Sequence, residues 1–120
     1  MRALLNCVPA DVPLAPADGL GVIERALRSP SPRRCFICHE IGSGPYYAYL
    51  WGRELREYFR LGEAGHMLAT NLHADTCEQA REQICGVNGV PEPALRRMNL
   101  MLFLAVDHKA RPTRRVAEIW

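Results

Sequence analysis

Short apolar runs separated by helix-length segments constrain this chain more than any other feature of its sequence. Residues 35–38 (CFIC) and 66–72 (HMLATNL) are mostly apolar, as is typical of strands that are buried on both faces. Between them, residues 46–61 carry apolar side chains at helical spacing. Strands that alternate with helices indicate βαβ units, so the sequence predicts an α/β fold with a mostly parallel sheet.

The other segments extend this pattern into one domain spanning residues 1–120. In the first third we expect a proline-rich loop over 9–18 and a helix over 19–28. A later helix begins at an Asp75 N-cap, has Glu78 at the capping-box position and runs to about Ile84. A short helix over 91–98 and strands over 99–106 and 114–120, joined by a turn at 107–113, complete the chain. Because that turn is short and polar, we expect the last two strands to form a C-terminal hairpin, with helices flanking the parallel sheet.

Composition excludes several classes of protein. The 120 residues, 48% of them apolar, are enough for one core, and a net charge of +2 gives no reason to expect a nucleic-acid partner. We expect no direct membrane insertion, because no stretch reaches 18 apolar residues. The first residues carry no secretory signal pattern, which predicts a cytoplasmic protein whose five cysteines are reduced and mostly buried.

The segment Cys35-Phe36-Ile37-Cys38-His39 matches C-x-x-C-H, the spacing that attaches a c-type haem. Small c-type cytochromes are mostly helical, whereas this chain has several strand-like runs. Zinc is also disfavoured, because cysteines three apart on an extended strand point to opposite faces, and we therefore expect no metal site. Two buried core cysteines are the favoured interpretation, with a haem protein as an open alternative.

The stretch GHMLATNLHAD, residues 65–75, is the most specific segment of the chain. Gly65-His66, five intervening residues and Leu72-His73-Ala74 resemble the histidine box of the secretion and pilus-assembly ATPases, which include type II, type IV and archaeal relatives. That family usually has Thr at the position where this chain has Asn71.

The resemblance extends to both sides of the histidine box. Residues 35–41 (CFICHEI) resemble the Walker B strand of the family, in which four apolar residues precede Gly-Glu-Ile; Glu40 matches and His39 replaces the glycine. Residues 114–119 resemble the closing Arg-Arg-Val-x-Glu-Ile strand. The spacing from Glu40 to Gly65 is longer than usual in the family, so we infer an insertion around residues 42–49.

The resemblance implies a partial RecA-like P-loop NTPase core that uses ATP and Mg²⁺, assembles as a homo-oligomeric ring and serves a secretion or pilus machinery. It implies catalytic roles for Glu40, as the Walker B-type carboxylate, and for the histidine-box residues His66 and His73. Asn71 and His39 fall at cofactor-binding positions.

Sheet geometry agrees with part of this assignment. Ligands of parallel α/β sheets bind beyond the carboxyl ends of the strands, so we expect Glu40 and His73 to end adjacent strands and face one crevice. His66 begins its strand, and seven extended residues of ~3.3 Å each place it roughly 23 Å from His73. The two histidines should not share a ligand.

The phosphate-binding loop of the family is not among these residues. The sequence contains no G-x-x-x-x-G-K-[ST], and its only lysine is Lys109. Residues 1–11 resemble the end of the helix that follows that loop. We therefore expect no ATP hydrolysis by the chain alone, and an exposed sheet edge where the central strand would pair. Two interpretations stay open: the carboxyl half of a longer ATPase, or a nonenzymatic remnant that binds a partner through that edge.

Overall fold

Three short parallel strands form the central sheet of a mixed α/β fold. The structure, a computed structural model, describes residues 1–107 and 112–120, so most of the turn expected at 107–113 lies outside the described residues. The helical elements are α1 (Arg2–Leu5), α2 (Leu20–Arg28), α3 (Gly52–Glu63), α4 (Cys77–Arg81) with a π-helical continuation (Glu82–Val87), and α5 (Glu92–Leu95). The strands are β1 (Leu14–Pro16), β2 (Cys35–Ile37), β3 (Glu40–Ile41), β4 (Tyr49–Leu50), β5 (Met67–Ala69), β6 (Leu102–Asp107) and β7 (Thr113–Ile119).

The order of strands in the central sheet is β1-β2-β5, and both pairings are parallel. Cys35 of β2 is in register with Leu14 on one side and Met67 on the other. This confirms the predicted α/β class and the parallel pairing of the two apolar runs. β3 continues the path of β2 and pairs in parallel with β4, and Ile41 also bridges Leu72 beyond the end of β5.

Strand β1 corrects the expectation of a loop over residues 9–18. Cys35 N–H donates to Pro13 O and Ala17 N–H donates to Ile37 O, at 2.9 and 2.8 Å. In a parallel ladder alternate residues bond to the same neighbour, so Pro16 faces the outer edge, where its missing N–H costs no hydrogen bond. Proline is therefore compatible with this edge strand.

Helix α3 begins six residues later than the predicted span of 46–61. Ala48 (φ 62°) and Gly52 (φ 56°) have left-handed backbone conformations, which interrupt a right-handed helix, and the segment between them forms β4. The predicted apolar face is nevertheless correct, because Leu55 and Tyr58 are completely buried.

The N-cap of α4 is Thr76 rather than Asp75. The Thr76 hydroxyl accepts from Gln79 N–H at 3.2 Å, and the Gln79 side chain accepts from Asp75 N–H at 2.8 Å. The capping pattern is thus displaced by one residue from the predicted Asp75–Glu78 pair. Helical structure then extends through Val87, past the predicted end at Ile84, because the chain widens into a π-helix.

The core lies between the sheet and helices α2, α3 and α5. Its fully buried members include Ile23 of α2, Phe36 and Cys35 of β2, and Leu61 of α3. The expected C-terminal hairpin is confirmed: β6 and β7 pair antiparallel, with Leu104 opposite Val116. In the part of the chain that is described, no helix is long and apolar enough to cross a membrane.

Candidate functional site

Glu40 and His73 meet at the carboxyl end of the parallel strands. Glu40 opens β3, in line with β2, and His73 directly follows Leu72, whose bridge to Ile41 brings the two chain segments side by side. The distance from His73 Nε2 to Glu40 Oε1 is 2.8 Å. The glutamate side chain is only 12% exposed, whereas the histidine side chain is 84% exposed. The structure therefore brings together the two side chains that strand order predicted at one crevice.

Tyr49 and Cys38 complete the immediate surroundings of Glu40. Tyr49 is the register partner of Glu40 in the β3–β4 pair. Desolvation, followed by a hydrogen bond and the charge of Glu40, raises the pKa of Tyr49. The Cys38 thiol donates to Glu40 O at 3.0 Å, and burial raises the pKa of that thiol. Cys38 therefore fixes the backbone of Glu40 as a neutral hydrogen-bond donor.

His66 lies at the other end of β5 and takes no part in the Glu40–His73 contact. Its Nδ1 accepts from Arg34 N–H at 3.2 Å, and its ring packs edge-on against Phe36 at 5.1 Å. Partial burial and the nearby Arg34 charge lower the pKa of His66. This imidazole anchors the start of the strand, in agreement with the expectation that the two histidines do not share a ligand.

The side chain of Asn71 is hydrogen-bonded to the backbone of His39. Asn71 Nδ2 donates to His39 O at 3.1 Å, and Asn71 O accepts from Ile41 N–H at 2.9 Å. The asparagine thus spans the break between β2 and β3, where regular pairing stops. The side chain supplies only the donor here, and the acceptor is the backbone carbonyl, so a short side chain with an amide donor suits this bridging position.

An open cleft of about 830 Å³ lies at the carboxyl ends of β1 and β2, and neither Glu40 nor His73 is among the described residues that line it. Its walls include the ends of β1 and β2, at Pro16 and Ile37, together with His39, Tyr49 and Glu54. Tyr49 therefore borders both Glu40 and the cleft. The position agrees with the general location of ligand sites in parallel sheets, beyond the carboxyl ends of strands.

Asn88 is an organising residue that the sequence did not indicate. It is 3% exposed, and its side-chain amide bonds to three backbone groups. Asn88 Nδ2 donates to Gly42 O at 2.9 Å and to Gln83 O at 2.6 Å, while Oδ1 accepts from Gly52 N–H at 2.6 Å. Gly42 follows β3 and Gly52 follows β4, so one amide holds the carboxyl ends of the two parallel strands that carry Glu40 and Tyr49.

The sequence also does not indicate Tyr49 as a site residue, because residues 46–61 are predicted as one helix. The glycines at 42 and 44 and the proline at 45 were a usable indication of a loop before it. Nothing comparable surrounds Asn88: an Asn-Gly pair after a helix is an ordinary turn pattern, and its contacts lie 36 and 46 residues away in sequence.

The residues present fit only part of an ATP and Mg²⁺ site. Within residues 1–107 and 112–120, no group of three His, Cys, Asp or Glu side chains is placed to hold a metal ion. Mg²⁺ commonly takes one or two carboxylates plus substrate phosphates, and Glu40 can supply one carboxylate or hold a metal-bound water. The sequence contains no Gly-Lys pair, which in a phosphate-binding loop supplies the cradle and the counter-charge for the phosphates.

The arrangement of the C-x-x-C-H segment does not favour a covalent haem. Cys35 and Cys38 are each 1% exposed, in or directly after a central strand. Thioether bonds to both thiols would require the core to open. All five cysteines, which lie within the described residues, are free thiols, and Cys35 and Cys38 serve as small core residues. The expectation that most of the five are buried is wrong, because Cys7 is exposed and Cys77 and Cys85 are only partly buried.

A comparison of the chain with models of known protein families finds no match, and a comparison with curated proteins finds no relative.

Proposed function

We propose that the chain is a domain related to the secretion and pilus-type ATPases, with part of a RecA-like core. In this proposal Glu40 is the Walker B-type carboxylate, and His73 and His66 are the histidine-box residues. The observation that carries the proposal is the 2.8 Å contact between Glu40 and His73 at the carboxyl ends of parallel strands. The chain alone does not hydrolyse ATP, because it lacks the phosphate-binding loop.

The chemistry of the pair suits this role. A carboxylate that is mostly shielded from solvent at a strand end can orient a water molecule or accept a proton from it. The imidazole of His73 contacts that carboxylate from one side and leaves the rest of its ring open to solvent. When bound, Mg²⁺ would neutralise the negative charge of the phosphate oxygens while the water attacks the γ-phosphorus.

The open edge of the central sheet also supports the proposal. In the described part of the chain β5 pairs with β2 alone, so the backbone groups of Leu68 and Thr70 face an open edge. The opposite edge is blocked by Pro16 in β1. A further parallel strand carrying a Walker A loop would pair with β5 and end at the same rim as Glu40 and His73. Assembly into a ring and a place in a cytoplasmic secretion or pilus machinery belong to the same proposal.

The test begins with the coding sequence immediately upstream of Met1. A segment with G-x-x-x-x-G-K-[ST], expressed in one chain with these residues, should give ATP turnover. Glu40→Gln should then lower turnover by roughly 10²–10⁴-fold, the range for a positioned acid or base, with ATP binding retained. Glu63→Gln, which changes an exposed carboxylate at the end of α3, is the matched control and should leave turnover near that of the parent. Full turnover in the Glu40 variant would refute the assignment.

A second candidate function is binding without catalysis. It is favoured by the same open β5 edge and by the exposed apolar side chains of the hairpin, where Leu104 is 70% exposed. If no Walker A segment is encoded upstream and the 120-residue chain shows no heat of binding with Mg-ATP in calorimetry, this interpretation replaces the enzyme.

A further inference from the structure

We propose that a pocket between α2 and the β1–β2 pair is a binding site for a small phosphate monoester. Two arginines and two serines supply its polar side chains, and these are Arg25, Ser29, Ser31 and Arg34. Neither Glu40 nor His73 is among the described residues that line this pocket. The inference is therefore independent of the proposed function.

The charge of the pocket is positive. Among the described residues that line it, Arg25 and Arg34 carry the charge, and none is a carboxylate. The neighbouring Glu24 is engaged elsewhere: its Oε1 accepts from Arg53 Nη2 at 2.8 Å, and its Oε2 lies 3.9 Å from Arg28 Nη2. In the part of the chain that the structure describes, neither guanidinium of the pocket forms an ion pair. Two guanidiniums without a carboxylate partner match a ligand with two negative charges.

Ser31 provides a second, independent indication of a ligand. Its Oγ is buried and has no hydrogen-bond partner among the described residues. Such a hydroxyl is unfavourable, because it has lost its hydrogen bonds to water and has made none in return. An anion oxygen in the pocket would accept a hydrogen bond from it. The unpartnered group and the two guanidiniums thus call for the same kind of ligand, one that is rich in acceptors.

The loop that carries the donors has a restricted backbone. Each serine of the pocket precedes a proline, which fixes its own φ and disfavours helical geometry in the residue before it. Ser29 is accordingly extended, with φ −109° and ψ 116°. Arg34 N–H donates to His66 Nδ1 at 3.2 Å, and Arg34 O accepts from Met67 N–H at 2.8 Å. Because this backbone is ordered before a ligand binds, less entropy is lost on binding.

The remaining walls of the pocket are apolar. They are formed by Ala15 and Pro16 of β1, Val22 and Ala26 of α2, and Phe36 of β2. The volume is about 280 Å³. That lies just below the range of roughly 300–1,000 Å³ for sites that hold drug-sized ligands, so the ligand is small. The apolar walls favour a phosphate that carries an organic group over a bare oxyanion.

The test is an NMR titration of the 120-residue chain with phenyl phosphate at neutral pH and constant sodium chloride concentration. Saturable shifts are expected for the Nε–H signals of Arg25 and Arg34, with a Kd on the order of 1 mM or tighter, the scale of two charge-assisted contacts. Inorganic phosphate should bind more weakly, because it cannot use the apolar walls. Benzoate should also bind more weakly, because it carries a single charge.

Arg25→Gln and Arg34→Gln should each raise the Kd for phenyl phosphate by roughly 10-fold, because one charge-assisted hydrogen bond is lost. Arg33→Gln is the matched control. It removes the same charge from the same loop, but Arg33 is exposed and does not line the pocket, so the Kd should stay near that of the parent.

Ser31→Ala separates ligand binding from a structural role. Without phenyl phosphate its Tm should be no lower than that of the parent, because an unpartnered hydroxyl is removed. With phenyl phosphate, the rise in Tm should be smaller than in the parent. The proposal would be overturned by the absence of saturable shifts, by equal losses of affinity in Arg33→Gln and Arg25→Gln, or by equal affinities for phenyl phosphate and benzoate. These measurements omit ATP and Mg²⁺, so a negative result leaves the Glu40–His73 assignment intact.

Discussion

Tyr58 connects the helical layer to the sheet through one hydroxyl. The side chain comes from α3 and is completely buried, with its oxygen 2.9 Å from Phe36 O and 3.0 Å from Ala69 O. These carbonyls belong to the adjacent strands β2 and β5. The hydroxyl therefore holds the two strands that lead to Glu40 and His73.

Replacement of Tyr58 by Phe should lower the free energy of unfolding by about 1 kcal/mol. The ring still fills its site, but the hydrogen bond to the two strands is lost. Chemical denaturation monitored by circular dichroism measures the difference. Tyr47→Phe is the control, because Tyr47 is 98% exposed and should give no measurable change. Equal stability of Tyr58→Phe and the parent would contradict the structural role.

At the scale of elements, the β3–β4 pair depends on a residue outside both strands. Asn88 follows the π-helical segment Glu82–Val87, and its backbone oxygen also accepts from Arg56 Nη1 at 2.7 Å. The π-helical turn ends at Val87, and the next residue places its amide against Gly42 and Gly52. Unusual helical turns of this kind often mark positions where a fold places a specific group.

Asn88→Ala should cost roughly 3 kcal/mol of unfolding free energy, since it leaves buried backbone groups at Gly42 and Gly52 without partners. Asn99→Ala is the matched control: Asn99 is exposed, and the change should stay within about 0.5 kcal/mol. Urea unfolding of both variants checks the prediction. A cost for Asn88→Ala no greater than that for Asn99→Ala would show that other contacts hold the β3–β4 pair.

The C-terminal hairpin is an element with two different faces. Phe103 is 6% exposed, whereas Leu104 and Ile119 are 70% and 65% exposed on the other face. Side chains alternate between the faces of a strand, so the hairpin rests on one face and leaves an apolar face to solvent.

Leu104→Lys should therefore change the free energy of unfolding by less than ~1 kcal/mol, the scale of one cross-strand pair. It should also reduce the fluorescence of a bound hydrophobic dye such as ANS. Phe103→Ala should lower stability by roughly 3 kcal/mol instead, as expected for a buried aromatic side chain. The description of the two faces would be wrong if both substitutions had the same effect on stability.

For the molecule as a whole, buried weak acids make stability depend on pH. Burial raises the pKa values of Cys35 and Cys38 above the ordinary 9.0, and burial also raises that of Tyr58 above 10.0. A raised pKa in the folded state gives stability that is present below the unfolded-state pKa and lost as pH rises. His66 acts in the opposite direction, because its pKa is lowered from 6.5 and its contribution is lost as pH falls below that value.

The free energy of unfolding should accordingly be highest near neutral pH and fall above about pH 9, with at most ~1.4 kcal/mol per pH unit from each buried acid. Denaturant titrations from pH 7 to 11 measure this slope. In Tyr58→Phe the slope should become shallower above pH 10, where the unfolded tyrosine ionises. A stability that stays constant to pH 11 would contradict the buried state of these groups.

Much of the site could be predicted because its components are local patterns. The apolar run before Glu40 and the run before His73 indicate buried strands, and the rule that parallel strands present their carboxyl ends at one edge brings the two residues together. The residue on the β4 side of Glu40, which is Tyr49, could not be predicted. Tyr49 is in register with Glu40 in a segment where Ala48 and Gly52 have left-handed backbone conformations and Asn88 bonds to Gly42 and Gly52, and hydrophobic periodicity predicts none of these features.

By itself the sequence determined the α/β class, the parallel pairing of the two apolar runs, the C-terminal hairpin and the convergence of Glu40 with His73. Only the tertiary structure decided that a proline-containing segment becomes edge strand β1, that Tyr49 flanks the carboxylate and that His66 anchors a strand. The reason is physical. Apolar periodicity indicates which side of an element is buried. The partner of a backbone hydrogen bond can lie tens of residues away, and that partner is determined only when the chain packs.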